Sequence, residues 1–362
     1  MKKLGILGLA FAVAGNMLGA GFVSGQELWQ YFGVFGVKGY LGMALSLLVL
    51  FLTSVLILLY SQREKISTVD ALVVRKDLPF LRNAVGLVSI FFMFCTYVVM
   101  AAGAGALAHQ VFSTPFYVGS AILCIAVALV TLSGVGGFLR IFSLFVPALL
   151  VFVFGMCIVR FPDFTLEDLK LIKGAGDNPM LSHWALSALN NATYNVGCVI
   201  GIYAVMAERI KDKRTVFFGT FFGAVLLMII SSTILSMLFS SIECADYPLP
   251  MVAYATSLDH TAGIIFSVLI FMAMFATSLA NSVAIAYYAK EKTAVMKKNT
   301  NYIIGVSLMS AVCFAGSLLG FEKLVSVVYP ISGYVNLVFI VLIAVNLIIS
   351  VRKEKMQTKV SE

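Results

Sequence analysis

The sequence predicts an all-α polytopic membrane protein with ten transmembrane helices, and three observations lead to this fold class. The 362-residue chain is 61% hydrophobic and 12% charged, with a mean hydropathy of +1.01. Soluble globular domains have an apolar share nearer ~45–50%. Apolar runs long enough to cross a bilayer, about 20 residues each, recur ten times, and the basic residues between them follow an alternating pattern.

The ten spans end where polar or turn-forming residues interrupt the apolar runs. They cover Leu4–Phe32, Gly39–Tyr60, Ala84–Phe112, Tyr117–Ser133, Leu139–Val159, Ser182–Ala207, Val216–Ser240, Ala262–Ala289, Asn301–Leu319 and Val325–Ser350. Basic loops separate spans two and three, six and seven, and eight and nine, whereas turns with glycine or proline separate most of the others. The Lys2-Lys3 pair resembles the start of a signal peptide, but the apolar run continues toward Trp29, which favours a first membrane span.

The basic residues orient these spans. If the N-terminus is cytoplasmic, twenty of the 25 Lys and Arg residues lie on the inner side, and the outer side carries Lys38, Arg160, Lys170, Lys173 and Lys323. This is the positive-inside pattern, so we expect a multi-pass protein of the bacterial cell membrane with both termini cytoplasmic. The net charge of +8 is spread over all inner loops, which predicts contact with anionic headgroups and not with nucleic acid.

Two polar or glycine-rich interruptions lie at matching places in the two halves of the chain. The first covers Gly15–Gly25 in span one, and the second covers Asn190–Gly197 in span six. Backbone without helical hydrogen bonds is tolerated at membrane depth only in a protected cavity, and paired breaks are typical of transporter binding sites. The interruptions predict two unwound helices that face each other, in an inverted repeat of five spans each.

This repeat divides the chain into four parts. They are a first five-helix repeat (1–160), an outer connecting segment (161–181), a second, inverted five-helix repeat (182–350) and a cytoplasmic tail (351–362).

The first interruption also carries a family resemblance. The string GNMLGAG at 15–21 resembles the unwound first helix of LeuT-type transporters of the amino acid/polyamine/organocation group, and GAGFVSGQE at 19–27 is similar to the uncharacterised bacterial YkvI membrane-protein family. The resemblance implies a LeuT-like 5+5 inverted repeat with helices 1 and 6 broken. It implies no substrate.

The two interruptions contain the candidate substrate-binding residues. Gly19, Ala20 and Gly21 leave backbone N–H groups free to cradle a carboxylate, although small residues also allow close helix packing. Asn191, Thr193 and Asn195 belong to a dense polar cluster of span six, and polar groups at that depth should face the bundle interior, water or a ligand.

Two further residues are assigned to the substrate site. Glu27 lies about two turns past the first break, where it is expected to bind a substrate amine, gate the outer mouth or exchange a proton. The alternative is a solvated carboxylate at headgroup level beside Trp29 and Tyr31. Tyr97 in span three is placed at the border of the site, with core packing as its alternative.

The resemblance also implies a sodium site. In sodium-coupled LeuT-type transporters the corresponding part of span eight supplies two adjacent hydroxyls, and backbone carbonyls complete the shell. By position the ligands are the hydroxyls of Thr277 and Ser278 and the carbonyls of Gly15, Leu18 and Met274. Such hard oxygen donors suit a small hard cation, whereas the alternative is ordinary Ser/Thr bonding to the preceding helical turn.

These expectations combine into a secondary active transporter that works by alternating access. The leading hypothesis is sodium-coupled symport of a small carboxylate-bearing solute such as an amino acid, with Na⁺ as coupling ion and no other cofactor. The alternatives are proton coupling through Glu27 and a membrane sensor that binds a solute without moving it. The chain has no Walker motif, nucleophile elbow or paired-carboxylate pattern, so no enzymatic activity is expected. The predicted partners are the small-molecule substrate and the lipid bilayer, with no obligate protein partner.

Overall fold

The protein is described here from a computed structural model, which covers residues 3–66, 68–74, 78–133, 148–149, 151–156, 158–159, 178–293 and 298–361. Within these ranges the chain is mostly α-helical, and a single β-bridge pairs Leu4 with Ile210. The α-helices with defined bounds are α1 (Ile6–Met17), α2 (Ala20–Val23), α3 (Gln26–Tyr31), α4 (Val37–Glu64), α5 (Val69–Val73), α6 (Pro79–Phe112), α7 (Phe116–Ser133), α8 (Trp184–Ala207), α9 (Lys213–Ser240), α10 (Pro250–Leu258), α11 (His260–Lys292), α12 (Asn299–Ser317) and α13 (Phe321–Ser361).

Seven of these helices are long and apolar enough to cross a membrane, namely α4, α6, α7, α9, α11, α12 and α13. They match predicted spans two, three, four, seven, eight, nine and ten. Span one corresponds to the short helices α1 to α3, and span six corresponds to α8, whose asparagines make it less apolar. Span five and the connecting segment 161–181 lie largely outside the described residues, so the ten-helix count and the two-repeat division stay predictions with which this architecture is compatible.

Span one is broken as predicted. Helix α1 ends at Met17, and Leu18 and Gly19 leave the helical conformation, with Gly19 extended at φ −74° and ψ 169°. A second break follows at Gly25, whose φ of +82° is the left-handed conformation that favours glycine. A Cβ atom at this residue would also lie 2.9 Å from Cγ of Met251. Two glycines therefore turn one membrane crossing into three short helical pieces.

Span six is not broken, and the prediction of an unwound segment near Asn195 is wrong. Helix α8 runs without interruption from Trp184 to Ala207. Polar side chains in a membrane helix need partners but not an unwound backbone, and this helix finds them on its neighbours. Gly197 lies within this helix, and its missing side chain leaves room for Asn336, whose Nδ2 would lie 1.9 Å from a Cβ atom there.

Small residues let the helices around span one pack closely. Gly219 and Gly223 of α9 lie against Leu9 and Val13 of α1, where an added Cβ would approach side-chain carbons to 2.8 and 2.9 Å. Close backbone approach through small residues is a common basis of helix association in membranes. It holds α1 against α9 along one face.

The start of α10 packs against the broken span. The backbone N–H of Met251, in α10, donates to the carbonyl of Ser24 at 2.9 Å. The Gln110 side chain of α6 makes two hydrogen bonds with the backbone of Leu249, each 3.1 Å long. This segment therefore ties spans one and three together.

The close contact between α6 and α7 gives a testable stability prediction. A Cβ atom on Gly119 would lie 2.2 Å from the backbone carbonyl oxygen of Ala104, which cannot rotate away. We expect Gly119→Ala to lower stability by about 1–3 kcal/mol through overpacking, measured as a lower midpoint of thermal unfolding in detergent. Gly155→Ala is the matched control, because no atom of the described residues lies within 4 Å of a Cβ there. Equal midpoints for the two variants would contradict this packing.

Candidate functional site

Glu27 is the centre of a buried polar cluster. Its side chain lies in α3 and is 3% exposed. Its Oε1 atom accepts hydrogen bonds from Nδ2 of Asn191 and Nδ2 of Asn195, both at 3.1 Å. The solvated-carboxylate interpretation of Glu27 is therefore wrong, and the structure brings three of the predicted substrate residues together.

The two asparagines are held in position by their own helix and by α4. They lie four residues apart on α8, so they face the same side of the helix. The Ser46 hydroxyl donates to Oδ1 of Asn191 at 2.9 Å, which leaves the Asn191 amide group to donate to Glu27. Asn195 Nδ2 also donates to the Asn191 carbonyl at 3.0 Å. Helices α3, α4 and α8 thus meet in one hydrogen-bonded network.

The second carboxylate oxygen of Glu27 faces the helix break. Oε2 lies 3.5 Å from the place that a Cβ atom on Gly21 would take, and the Tyr329 hydroxyl lies 3.2 Å from the same place. The Tyr329 ring stacks on Tyr194, with centroids 4.3 Å apart. In the part of the chain that the structure describes, Oε2 has no hydrogen-bond donor and Glu27 has no ion-pair partner. This oxygen is available to a ligand.

Some backbone groups at the helix break already make hydrogen bonds within the protein. The Gly19 N–H donates to the Met17 carbonyl at 2.8 Å, and the Gly21 carbonyl accepts from the Ser24 hydroxyl at 2.9 Å. Ala20 and Gly21 are buried and Gly19 is partly exposed. Of the three residues predicted to cradle a carboxylate, Ala20 and Gly21 are better placed to do so than Gly19.

Thr193 and Tyr97 make other contacts. The Thr193 hydroxyl is hydrogen-bonded to three carbonyls, of which that of Gly333 in α13 is nearest at 2.8 Å. The Tyr97 hydroxyl contacts Ser310 Oγ at 3.2 Å and the Cys124 carbonyl at 3.5 Å. Thr193 ties α8 to α13 and Tyr97 ties α6 to α7 and α12, so neither joins the hydrogen bonds around Glu27.

Three contributors to the cluster escaped the sequence analysis: Ser46, Tyr329 and the role of Asn190. Asn190 accepts from the Tyr31 hydroxyl at 3.0 Å and donates to the Pro330 carbonyl at 2.9 Å. Ser46 lies in an otherwise apolar span, where a serine is an ordinary packing residue. The Tyr329-Pro330 pair was a usable signal of polar contacts in this region. A proline inside a helix leaves the carbonyl four residues earlier without its helical hydrogen bond, so that carbonyl needs another donor. That carbonyl, of Ser326, accepts from Asn178 at 3.0 Å.

Of the predicted cation ligands on α11, Ser278 and Met274 are buried and Thr277 is partly exposed. The Ser278 hydroxyl is 0% exposed, and the described residues give it no hydrogen-bond partner. The Thr277 hydroxyl donates to the Ala273 carbonyl at 3.0 Å, which leaves its lone pairs free. Met274, one turn earlier on α11, is fully buried, and α11 packs against α2 just after the break that contains Leu18.

These residues fit a small hard cation. An unpaired buried hydroxyl carries a desolvation cost that a bound cation would remove, and hydroxyl and carbonyl oxygens suit Na⁺. The described residues contain no cluster of three His, Cys, Asp or Glu side chains able to hold a metal ion. The oxygen set on α11 and span one therefore remains the candidate ion site.

Comparison with known proteins agrees with the predicted relatives. No family model matches the chain. The chain is homologous to the uncharacterised membrane protein YkvI of Bacillus subtilis (strain 168), with 24% identity over 336 residues that cover 92% of this chain and 93% of YkvI. The predicted resemblance is thereby confirmed, and the chain is a membrane protein.

Solved structures confirm the fold class. MhsT, solved in complex with L-phenylalanine, superposes with a TM-score of 0.60 at 15% identity and covers 94% of this chain and 90% of MhsT. The inward-facing conformation of Mhp1 gives a TM-score of 0.55 at 16% identity, over 93% of this chain and 74% of Mhp1. The chain therefore has the LeuT fold.

Proposed function

We propose that the protein is a secondary transporter that couples movement of a small carboxylate-bearing solute, with an amino acid as the leading case, to sodium by alternating access. The observation that carries the proposal is the position of Glu27. A buried carboxylate with one free oxygen lies beside the broken part of span one, in a LeuT-like fold. Binding at a broken helix at mid-membrane is typical of secondary transporters.

The site suits a solute with both an amine and a carboxylate. The Ala20 and Gly21 backbone lies at the break, where N–H groups favour an anionic group. Glu27 Oε2 borders the same space, since it lies 3.5 Å from a Cβ position on Gly21. An ammonium group on the solute would supply the donor and the positive charge that Glu27 otherwise lacks. This pairing supports an amino acid over a simple carboxylic acid.

Sodium coupling is supported by the Ser278 hydroxyl, which is buried and has no hydrogen-bond partner among the residues that the structure describes. Together with Thr277 and the carbonyls of Gly15, Leu18 and Met274 it offers a set of hard oxygen donors. A cation bound there would join α11 to the break in span one. Its binding would then stabilise the same helix break that receives the solute, which couples the two binding events.

Proton coupling is the second candidate, and the surroundings of Glu27 favour it. The described partners of this carboxylate are two neutral amides. A buried carboxylate without a cation is costly to ionise, so it is stable either as the neutral acid or next to a bound ammonium group. Glu27 would then take up a proton when the solute leaves.

Ligand screening by thermal unfolding tests the main proposal. Purified protein would be heated with each of the proteinogenic L-amino acids, in sodium chloride or in potassium chloride. A ligand at 100 times its Kd stabilises by about 2.7 kcal/mol. Because bound sodium should strengthen solute binding, we expect at least one amino acid to raise the unfolding midpoint more in sodium than in potassium. Equal shifts in both salts would argue against sodium coupling.

Uptake into proteoliposomes separates a transporter from a sensor. The amino acid found in the screen would be offered in radiolabelled form, with an inward sodium gradient or without one. We expect accumulation that depends on the gradient. Binding without any accumulation would instead identify a sensor that does not move its solute.

A further inference from the structure

A groove lies between the start of α1 and the start of α9, and it shares no residue with the proposed transport site. It has a volume of about 500 Å³ and is lined by Gly5, Ile6, Lys211, Asp212, Arg214, Thr215, Phe218 and Phe222. Its walls are held together, since the Leu4 N–H donates to the Arg209 carbonyl at 2.8 Å. The glycine contacts between α1 and α9 hold the same wall one turn deeper.

The groove is positively charged at its mouth. Lys211 and Arg214 both line it, and no carboxylate in the described part of the chain forms an ion pair with either. Asp212 also lines the groove, but its Oδ1 accepts the Thr215 N–H at 2.7 Å as the N-cap of α9. The Thr215 hydrogen bonds and the nearby charges of Lys211 and Arg214 lower the pKa of Asp212. Two cations against one carboxylate still leave the lining with a net positive charge for an anion.

Two exposed aromatic side chains also line the groove. Phe218 and Phe222 lie four residues apart on α9 and are 36% and 48% exposed. The Arg214 guanidinium lies 5.7 Å from the centre of the Phe218 ring. Because α9 is one of the membrane-crossing helices and begins at Lys213, the cations lie at its membrane boundary and the rings lie toward the hydrocarbon.

We propose that this groove binds the headgroup of an anionic phospholipid, with the phosphate between Lys211 and Arg214 and an acyl chain along Phe218 and Phe222. Basic pockets between membrane helices recognise such headgroups by charge. The exposed rings favour a lipid over free phosphate, because a soluble anion would leave them uncovered. The inference goes beyond the transport proposal and does not depend on it.

A substitution at Gly5 can block the groove while Lys211 and Arg214 stay unchanged. Among the described residues, no atom lies within 4 Å of a Cβ atom on Gly5. Its extended backbone, with φ −91° and ψ −179°, accepts any side chain. Gly5→Trp would place an indole in the groove. Lys211→Ala combined with Arg214→Ala would keep the space and remove the charge.

Native mass spectrometry of the detergent-purified full chain tests the proposal. The protein would be titrated with palmitoyl-oleoyl phosphatidylglycerol or with phosphatidylcholine of the same chains. We expect tighter binding of phosphatidylglycerol, and a roughly 30-fold loss in the Lys211→Ala/Arg214→Ala variant, since each basic residue contributes about 1 kcal/mol. Gly5→Trp should lose phosphatidylglycerol binding as well.

The controls make the result decisive. Lys290→Ala combined with Lys292→Ala removes the same charge from the end of α11 and should leave the affinity unchanged. Equal loss in this control, equal affinity for the two lipids, or unchanged binding in Gly5→Trp would overturn the site. Full displacement of phosphatidylglycerol by millimolar inorganic phosphate would also overturn it, in favour of a soluble anion.

Discussion

Replacing Glu27 by glutamine is expected to weaken binding of the amine-bearing solute while sodium dependence persists. Glutamine keeps an Oε1 acceptor for Asn191 and Asn195, so the cluster should remain folded. It replaces the free Oε2 by an amide nitrogen, which donates hydrogen bonds and cannot pair with an ammonium group. Hydrogen bonds to charged groups contribute about 1.5–3 kcal/mol, so the affinity should fall roughly 10- to 150-fold.

Isothermal titration with the amino acid found by screening measures this loss. Glu64→Gln is the matched control, because it makes the same chemical change at an exposed carboxylate near the far end of α4. An unchanged affinity in Glu27→Gln would refute the amine contact.

The same variant separates sodium coupling from proton coupling. A carboxylate that carries the coupling proton must alternate between charged and neutral forms, and glutamine fixes neutrality at nearly constant shape. If Glu27 carries the proton, uptake by Glu27→Gln proteoliposomes should no longer respond to a pH gradient. We expect instead that uptake still follows the sodium gradient at a higher solute concentration, because α11 offers a separate cation site.

Replacing both Thr277 and Ser278 by alanine is expected to abolish stabilisation by sodium. Each change deletes a small polar group, and the double variant removes the two hydroxyl ligands of the proposed site. A ligand present at 100 times its Kd stabilises by about 2.7 kcal/mol. The wild-type protein should therefore unfold at a higher temperature in sodium than in potassium, whereas the double variant should unfold at the same temperature in both.

The single variant Ser278→Ala gives a sharper readout. The Ser278 hydroxyl has no hydrogen-bond partner in the described part of the chain. Its removal in potassium should therefore leave the unfolding midpoint unchanged or raise it, since an unsatisfied buried group is lost. In sodium the midpoint should fall. Ser282→Ala is the control on the same helix: its hydroxyl pairs with Thr131 at 2.9 Å, so stability should drop in both salts and the sodium response should remain. A sodium response kept in the double variant would eliminate the site.

The sequence predicted the membrane class, most span positions and the first helix break. Apolar runs are read directly as membrane helices because the bilayer sets their length. Gly19 and Gly25 marked the broken part of span one because glycine tolerates backbone that other residues do not. The polar cluster of span six was also located correctly, as a group of side chains that must face the interior.

The second helix break was predicted wrongly for a physical reason. Asparagine and threonine in a membrane helix indicate that partners are needed, but they do not indicate whether backbone or side chains supply them. In α8 the partners are other side chains and the carbonyls of α13, such as that of Gly333. Such contacts join residues far apart in the chain, and no local pattern encodes them.

The sequence by itself determined that the chain is a membrane protein, that its first span breaks at Gly19, and that Glu27 lies near this break. These properties depend on composition and on local backbone preference, and both are set by residues that are close together in the sequence. The tertiary structure alone decided that Glu27 is buried, that Asn191 and Asn195 hold one of its oxygens, and that Ser278 finds no hydrogen-bond partner within the described ranges. Burial and hydrogen-bond pairing depend on which distant helices meet, because the cost of a polar group in a membrane protein is set by its neighbours in space.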